Sequence, residues 1–202
     1  MEDFTSKPVI SNLYMEFFET KILPQICNFQ LKWFRYVDDI IVLWPLDRDV
    51  LHFLNNLNSL VPSIKFKIEQ EVEHSLPFLD TVIININNGL KFKIYRKPTH
   101  VDAYIHYFSN HHINVKRSTF SGMFLRAFRI CDPEYLEEEI KYIYTIARNL
   151  CYPESFVDYC LTKAKRSYYG VNADSLLQPK NILVLPFHQE FTLAKYFSTH
   201  MK

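Results

Sequence analysis

Apolar positions along the chain follow two periods, and the change from one to the other divides it. In residues 9–28 the apolar residues Val9, Leu13, Phe17, Ile22, Leu23 and Ile26 fall at helical spacing, with Pro8 near the start and Pro24 set to interrupt. Around Asp38 and Asp39 stand two runs of aromatic and β-branched residues, which predict strand, turn and strand over residues 32–45, ended by Pro45. Asp47 is the expected N-cap of a helix with Val50, Leu51, Leu54, Leu57 and Leu60 or Val61 at helical spacing, stopped by Pro62. Residues 63–72 alternate Ile64, Phe66 and Ile68 against Lys65, Lys67 and Glu69, a half-buried strand. Residues 76–86 form a longer β-rich run. Asn87-Asn88-Gly89 is a hairpin turn, and residues 90–95 alternate again as the return strand.

From residue 111 the period is helical throughout. Residues 111–131, 133–150 and 153–169 predict three helices. Asp132-Pro133 supplies an N-cap and a first-turn proline, and Tyr152-Pro153 repeats the device. Ile140, Ile143, Tyr144 and Ala147 make the apolar stripe of the second helix, and Leu183-Val184-Leu185-Pro186 reads as a short strand after a linker. The fold class is α+β: antiparallel strands with two helices, then a helical bundle.

Composition narrows the function. The 202 residues include 48% hydrophobic and 16% aromatic positions, enough for a sizeable core, but only 3 glycines. No glycine-rich phosphate cradle exists. Cys27, Cys131, Cys151 and Cys160 contain no Cys-x-x-Cys pair and read as buried free thiols. With no secretory leader and no apolar run of membrane-spanning length, an intracellular location, cytoplasmic or nuclear, is expected.

Adjacent carboxylates at a hairpin tip repel each other, and a hard cation such as Mg²⁺ or Mn²⁺ would remove that cost; turn chemistry is the other reading of the pair. Tyr36-Val37-Asp38-Asp39 resembles the Tyr-x-Asp-Asp box of reverse transcriptases. Asn12-Leu13-Tyr14-Met15-Glu16 lies upstream of it, and Leu76-Pro77-Phe78-Leu79-Asp80 and Tyr95-Arg96-Lys97-Pro98-Thr99-His100 follow. In that order the four strings resemble the reverse transcriptases of Penelope-like retroelements, over about residues 8–190.

The resemblance implies an incomplete palm over residues 1–89, a basic hairpin and helical, thumb-like (helix-turn-helix-like) region over 90–170, and a linker and tail over 171–202. It implies two-metal nucleotidyl transfer by Mg²⁺ or Mn²⁺, with Asp38 as the main ligand and catalytic residue and Asp39 as the second. It also implies a third aspartate on a strand ahead of the first helix, where only Glu2 and Asp3 stand, and fingers further upstream. The expectation is a fragment of an RNA-directed DNA polymerase that is inactive alone.

Charge distribution supports a nucleic-acid partner, implied to be the primer–template duplex of RNA or DNA. Residues 90–130 hold eight cations, Lys91, Lys93, Arg96, Lys97, Lys116, Arg117, Arg126 and Arg129, against one acid, Asp102, on a chain of net charge +1. Phe92, Tyr95, Tyr104, Tyr107 and Phe108 interleave with them, as in strand-holding surfaces. Two alternatives stand beside the polymerase fragment: a helix-turn-helix-like nucleic-acid-binding module without polymerase activity, and a non-functional relic. His100, His106, His111 and His112 match no common zinc spacing, and Glu137-Glu138-Glu139 is expected to be an exposed helical face.

Overall fold

The computed structural model describes residues 6–27, 29, 31–61, 64–86, 89–175 and 191–199. The described residues form five α-helices and small antiparallel sheets, a mixed α/β chain divided into two compact units. One comprises residues 1–78 and 187–202; the other, residues 79–186, is a single contiguous segment between them.

In the first unit, helix α1 (Ser6–Phe17) passes into a π-helical turn, Phe18–Ile22, and a 3-10 turn, Leu23–Gln25, where Pro24 prevents α-helical continuation. Strands β1 (Lys32–Tyr36) and β2 (Asp39–Pro45) form the expected hairpin. Helix α2 (Val50–Leu60) is capped by Asp49 and not by the expected Asp47: the Asp49 carboxylate accepts from the Leu51 and His52 amides at 2.9 and 3.1 Å. Only the residue immediately before the helix can reach those amides, and Asp47 lies two residues further out.

Strand β3 (Lys65–Gln70) follows, and a tight turn with Glu73 and His74 at φ 49° and 59° leads into β4 (Ser75–Phe78). A strand absent from the sequence reading, β7 (Phe191–Thr199), lies between β2 and β3 and pairs with both, giving the antiparallel order β1-β2-β7-β3. The expected strand at Leu183-Val184-Leu185-Pro186 and the turn residues Asn87 and Asn88 lie outside the described residues. The core of this unit packs Met15 and Phe18 with Ile40, Val42 and Trp44 of β2, Phe53 and Leu57 of α2, and Phe66 of β3. The Asn58 side chain of α2 both donates to the Phe66 carbonyl (3.0 Å) and accepts from the Phe66 amide (2.7 Å).

The second unit opens with strands β5 (Thr81–Ile86) and β6 (Gly89–Ile94), an antiparallel hairpin. Leu79, at φ 54°, turns the chain and divides the predicted 76–86 run into β4 and β5. Helices α3 (Ile113–Ile130) and α4 (Pro133–Asn149) follow, close to their predicted bounds, and α5 (Glu154–Ser175) starts as predicted but continues past residue 169. Their core joins Phe120, Phe124, Ala127 and Phe128 of α3 to Ile143, Ile146 and Ala147 of α4 and Val157, Cys160 and Ala164 of α5. Asp132 precedes α4, but its carboxylate makes no helix cap; it accepts from the Phe92 amide of β6 at 2.6 Å, and the Asp132 amide donates to the Phe92 carbonyl at 2.9 Å. Helix α4 ends in a left-handed residue, Cys151 (φ 61°). The Tyr152 amide bonds the Ala147 carbonyl and the Cys151 amide bonds that of Arg148, which satisfies two terminal carbonyls and starts the turn into α5. All four thiols are free; Cys151 is exposed, contrary to the buried reading, because it stands in this surface turn.

Candidate nucleic-acid interface

Irregular chain between β6 and α3 is fixed against the three helices by a few directed bonds. The Tyr107 amide donates to the Leu150 carbonyl (3.0 Å) in the α4–α5 turn, and the Tyr152 hydroxyl donates to the Ile105 carbonyl (2.7 Å). Lys116 is only 7% exposed, and its ammonium donates to the carbonyls of Tyr107 (2.6 Å) and Ser109 (2.7 Å). A buried ammonium requires such acceptors, so Lys116 ties this segment to α3 and does not face a phosphate as its place in the sequence suggested. His112 caps α3 through its Nδ1, which accepts from the Asn114 amide (3.2 Å).

Most of the other predicted cations have partners within the unit. Lys91 pairs with Glu134, and that bond raises the lysine pKa and lowers that of the carboxyl. The Lys93 ammonium stands 5.6 Å from the centre of the Tyr135 ring. Arg96 forms a two-pronged pair with Glu139 and lies 4.0 Å over the Tyr142 ring. Glu139 is therefore buried, which corrects the expectation that residues 137–139 form an exposed face; Glu137 remains outside and pairs with Lys141 at 2.8 Å. The Tyr142 hydroxyl donates to Asp102 at 2.6 Å, and this bond, with partial burial, pushes the phenol up to about 12. His100 contacts the same carboxylate at 3.0 Å. Arg126 meets Asp80 at 3.2 Å on the surface. Tyr95, Arg96, Lys97, Thr99 and His100 line a cavity of about 460 Å³ with Arg126 and Glu139. Lys97 and Arg129 are exposed, and among the described residues no ion pair engages them.

Sequence reasoning passed over α5. Its buried residues Val157, Cys160 and Ala164 define the inner stripe. Tyr159, Lys163 and Arg166 lie on the opposite side at spacings of four and three, and all three are exposed. The Arg117 guanidinium of α3 lies 4.9 Å over the Tyr159 ring, and its Nε is buried with no acceptor. The available signal was the interval between Tyr159, Lys163 and Arg166, out of phase with the apolar stripe.

In the first unit, Val37 and Asp38 form the two-residue turn between the paired residues Tyr36 and Asp39, and Val37 holds φ 54°. Asp38 and Asp39 are both half-buried. Among the described residues no group of three or more His, Cys, Asp or Glu side chains converges. Arg35 of β1 bonds Glu19 (2.6 Å) and Asn12 (2.9 Å), and Asn12 bonds Glu16 (3.1 Å); the Asn12-to-Glu16 string is thereby tied to the hairpin. Among the described residues no helix is long and apolar enough to cross a membrane.

Residues 103–162 are similar to the family described as the animal helix-turn-helix domain. That span begins in the segment anchored to the α4–α5 turn, takes in α3 and α4, and ends within α5. No curated protein and no solved structure matches the chain.

Proposed function

We propose that the helical unit is a nucleic-acid-binding helix-turn-helix module. The observation that carries this reading is the family similarity over residues 103–162, which coincides with three helices on one core and a turn built by the Cys151 cap. The matched segment holds six Lys and Arg against seven Asp and Glu, so any affinity must come from the distribution of charge rather than its sum. Fluorescence anisotropy of the full chain with labelled DNA and RNA tests it. Binding that weakens steeply with added salt is expected. Absence of binding to every nucleic acid at low salt overturns the reading.

A second reading, a piece of a Penelope-like reverse transcriptase, is supported by the Asp38–Asp39 turn on a four-stranded antiparallel sheet backed by two helices. Among the described residues no group of three or more His, Cys, Asp or Glu side chains converges at this pair. Purified chain supplied with Mg²⁺ or Mn²⁺ and a primed template is expected to yield no extension. Extension that disappears in Asp38→Asn would establish the polymerase reading in place of the binding module.

A further inference from the structure

We infer that the helical unit meets the phosphate backbone of duplex DNA through the outer face of α5 together with Arg117, and not through the other cations of the stretch 90–130. The inference rests on the binding-module reading above and assigns its surface and its partner.

Charge pairing selects the face. Of the eight cations in 90–130, Lys91, Arg96 and Arg126 already have carboxylate partners, Lys93 lies against the Tyr135 ring and Lys116 is buried on two carbonyls, which leaves Lys97 and Arg129 exposed and apart from each other in the sequence, and Arg117 beside α5. Helix α4 holds Glu134 and Glu137 in pairs with Lys91 and Lys141 and presents Glu138 beside them, so it offers no net positive face to a phosphate chain. On α5, Lys163 and Arg166 are exposed, and among the described residues neither has an acidic partner. Arg117 adds a third cation beside Tyr159. Ser155 and Thr162, also exposed, supply hydroxyl donors on the same face.

Shape and chemistry select the partner. A helix displaying side chains along one exposed face fits the B-form major groove, about 12 Å wide, whereas the A-form major groove of double-stranded RNA is too narrow to read. Single strands are held by open aromatic platforms. Tyr159 is exposed, but Arg117 covers one face of its ring. The first turns of α5 carry Glu154 and Asp158, which disfavours end-on insertion. The helix therefore lies along the groove and meets phosphates through its middle, with little preference for sequence.

Three phosphate contacts predict a slope of about −3 for log affinity against log salt with a mixed-sequence duplex. The full-length variant Lys163→Gln/Arg166→Gln is expected to bind that duplex about tenfold more weakly, with the slope reduced in magnitude by about 2. Neither residue is buried, so circular dichroism should be unchanged. The charge-matched variant Lys141→Gln/Arg148→Gln on α4 should bind like the parent. A parent that binds no nucleic acid overturns the module reading itself. A parent that binds while the α5 variant keeps its affinity and slope overturns the α5 face and leaves the module standing. Tighter binding to double-stranded RNA or to a single strand than to duplex DNA overturns the choice of partner.

Discussion

At position 151 a cysteine occupies a backbone conformation that glycine adopts more easily. The left-handed residue after α4 lets two amides satisfy the helix's last carbonyls, but a side chain with a Cβ is strained there. Cys151→Gly is expected to stabilise the helical unit by about 0.5–1 kcal/mol, read from chemical denaturation. Tyr142 gives a prediction of different kind. Its hydrogen bond to Asp102 and its partial burial raise the phenol to about 12, above the ordinary value of about 10. A raised folded-state pKa favours the protonated form. Its contribution to stability is therefore complete below about pH 10 and is lost as pH rises through about 12. Between those limits the parent should lose more stability than Tyr142→Phe. Equal losses would show that the Asp102 bond does not govern the titration.

Helix α4 is held to the residues after β6 by an unequal pair. Glu139 is 8% exposed, whereas the Arg96 side chain retains 26%. Removing the arginine strands a buried carboxylate; removing the glutamate leaves a cation that can still reach water. Arg96→Ala is therefore expected to cost about 3 kcal/mol and Glu139→Ala distinctly less, compared by urea denaturation. This pair also shows what one sequence can disclose. The period of α4 was plain from Ile140, Ile143 and Tyr144, but its three consecutive glutamates looked alike. Glu139 differs because Arg96, more than forty residues earlier, meets it across the fold. Lys116 was misread for the same reason: local composition reports a cation, while its carbonyl partners follow from how the chain folds back.

At the scale of the whole chain, the helical unit is continuous and the sheet unit is not. Strand β7 returns to pair with β2 and β3 after the entire helical segment has intervened. That long interval, and residues such as Thr192, Lys195 and Ser198 breaking any simple alternation, kept it from view. The hairpin around Asp38 and Asp39 was legible because its pairing is local. Truncation after Pro186 removes β7 and is expected to reduce the β-sheet signal in circular dichroism to that of the β5–β6 hairpin while retaining most of the helical signal. Simultaneous loss of both signals would show that the units do not fold separately.

Asn58 and Asp132 perform one task in the two units. Each presents an acceptor, and a donor from its side chain or main chain, to the outward amide and carbonyl of a phenylalanine in a strand. An incoming chain seeking to extend the β-structure at Phe66 or Phe92 finds those groups already occupied. These two polar residues thus guard the protein against ordered self-association, and an apolar replacement at Asn58 would expose a template for aggregation even where the folded core is unharmed.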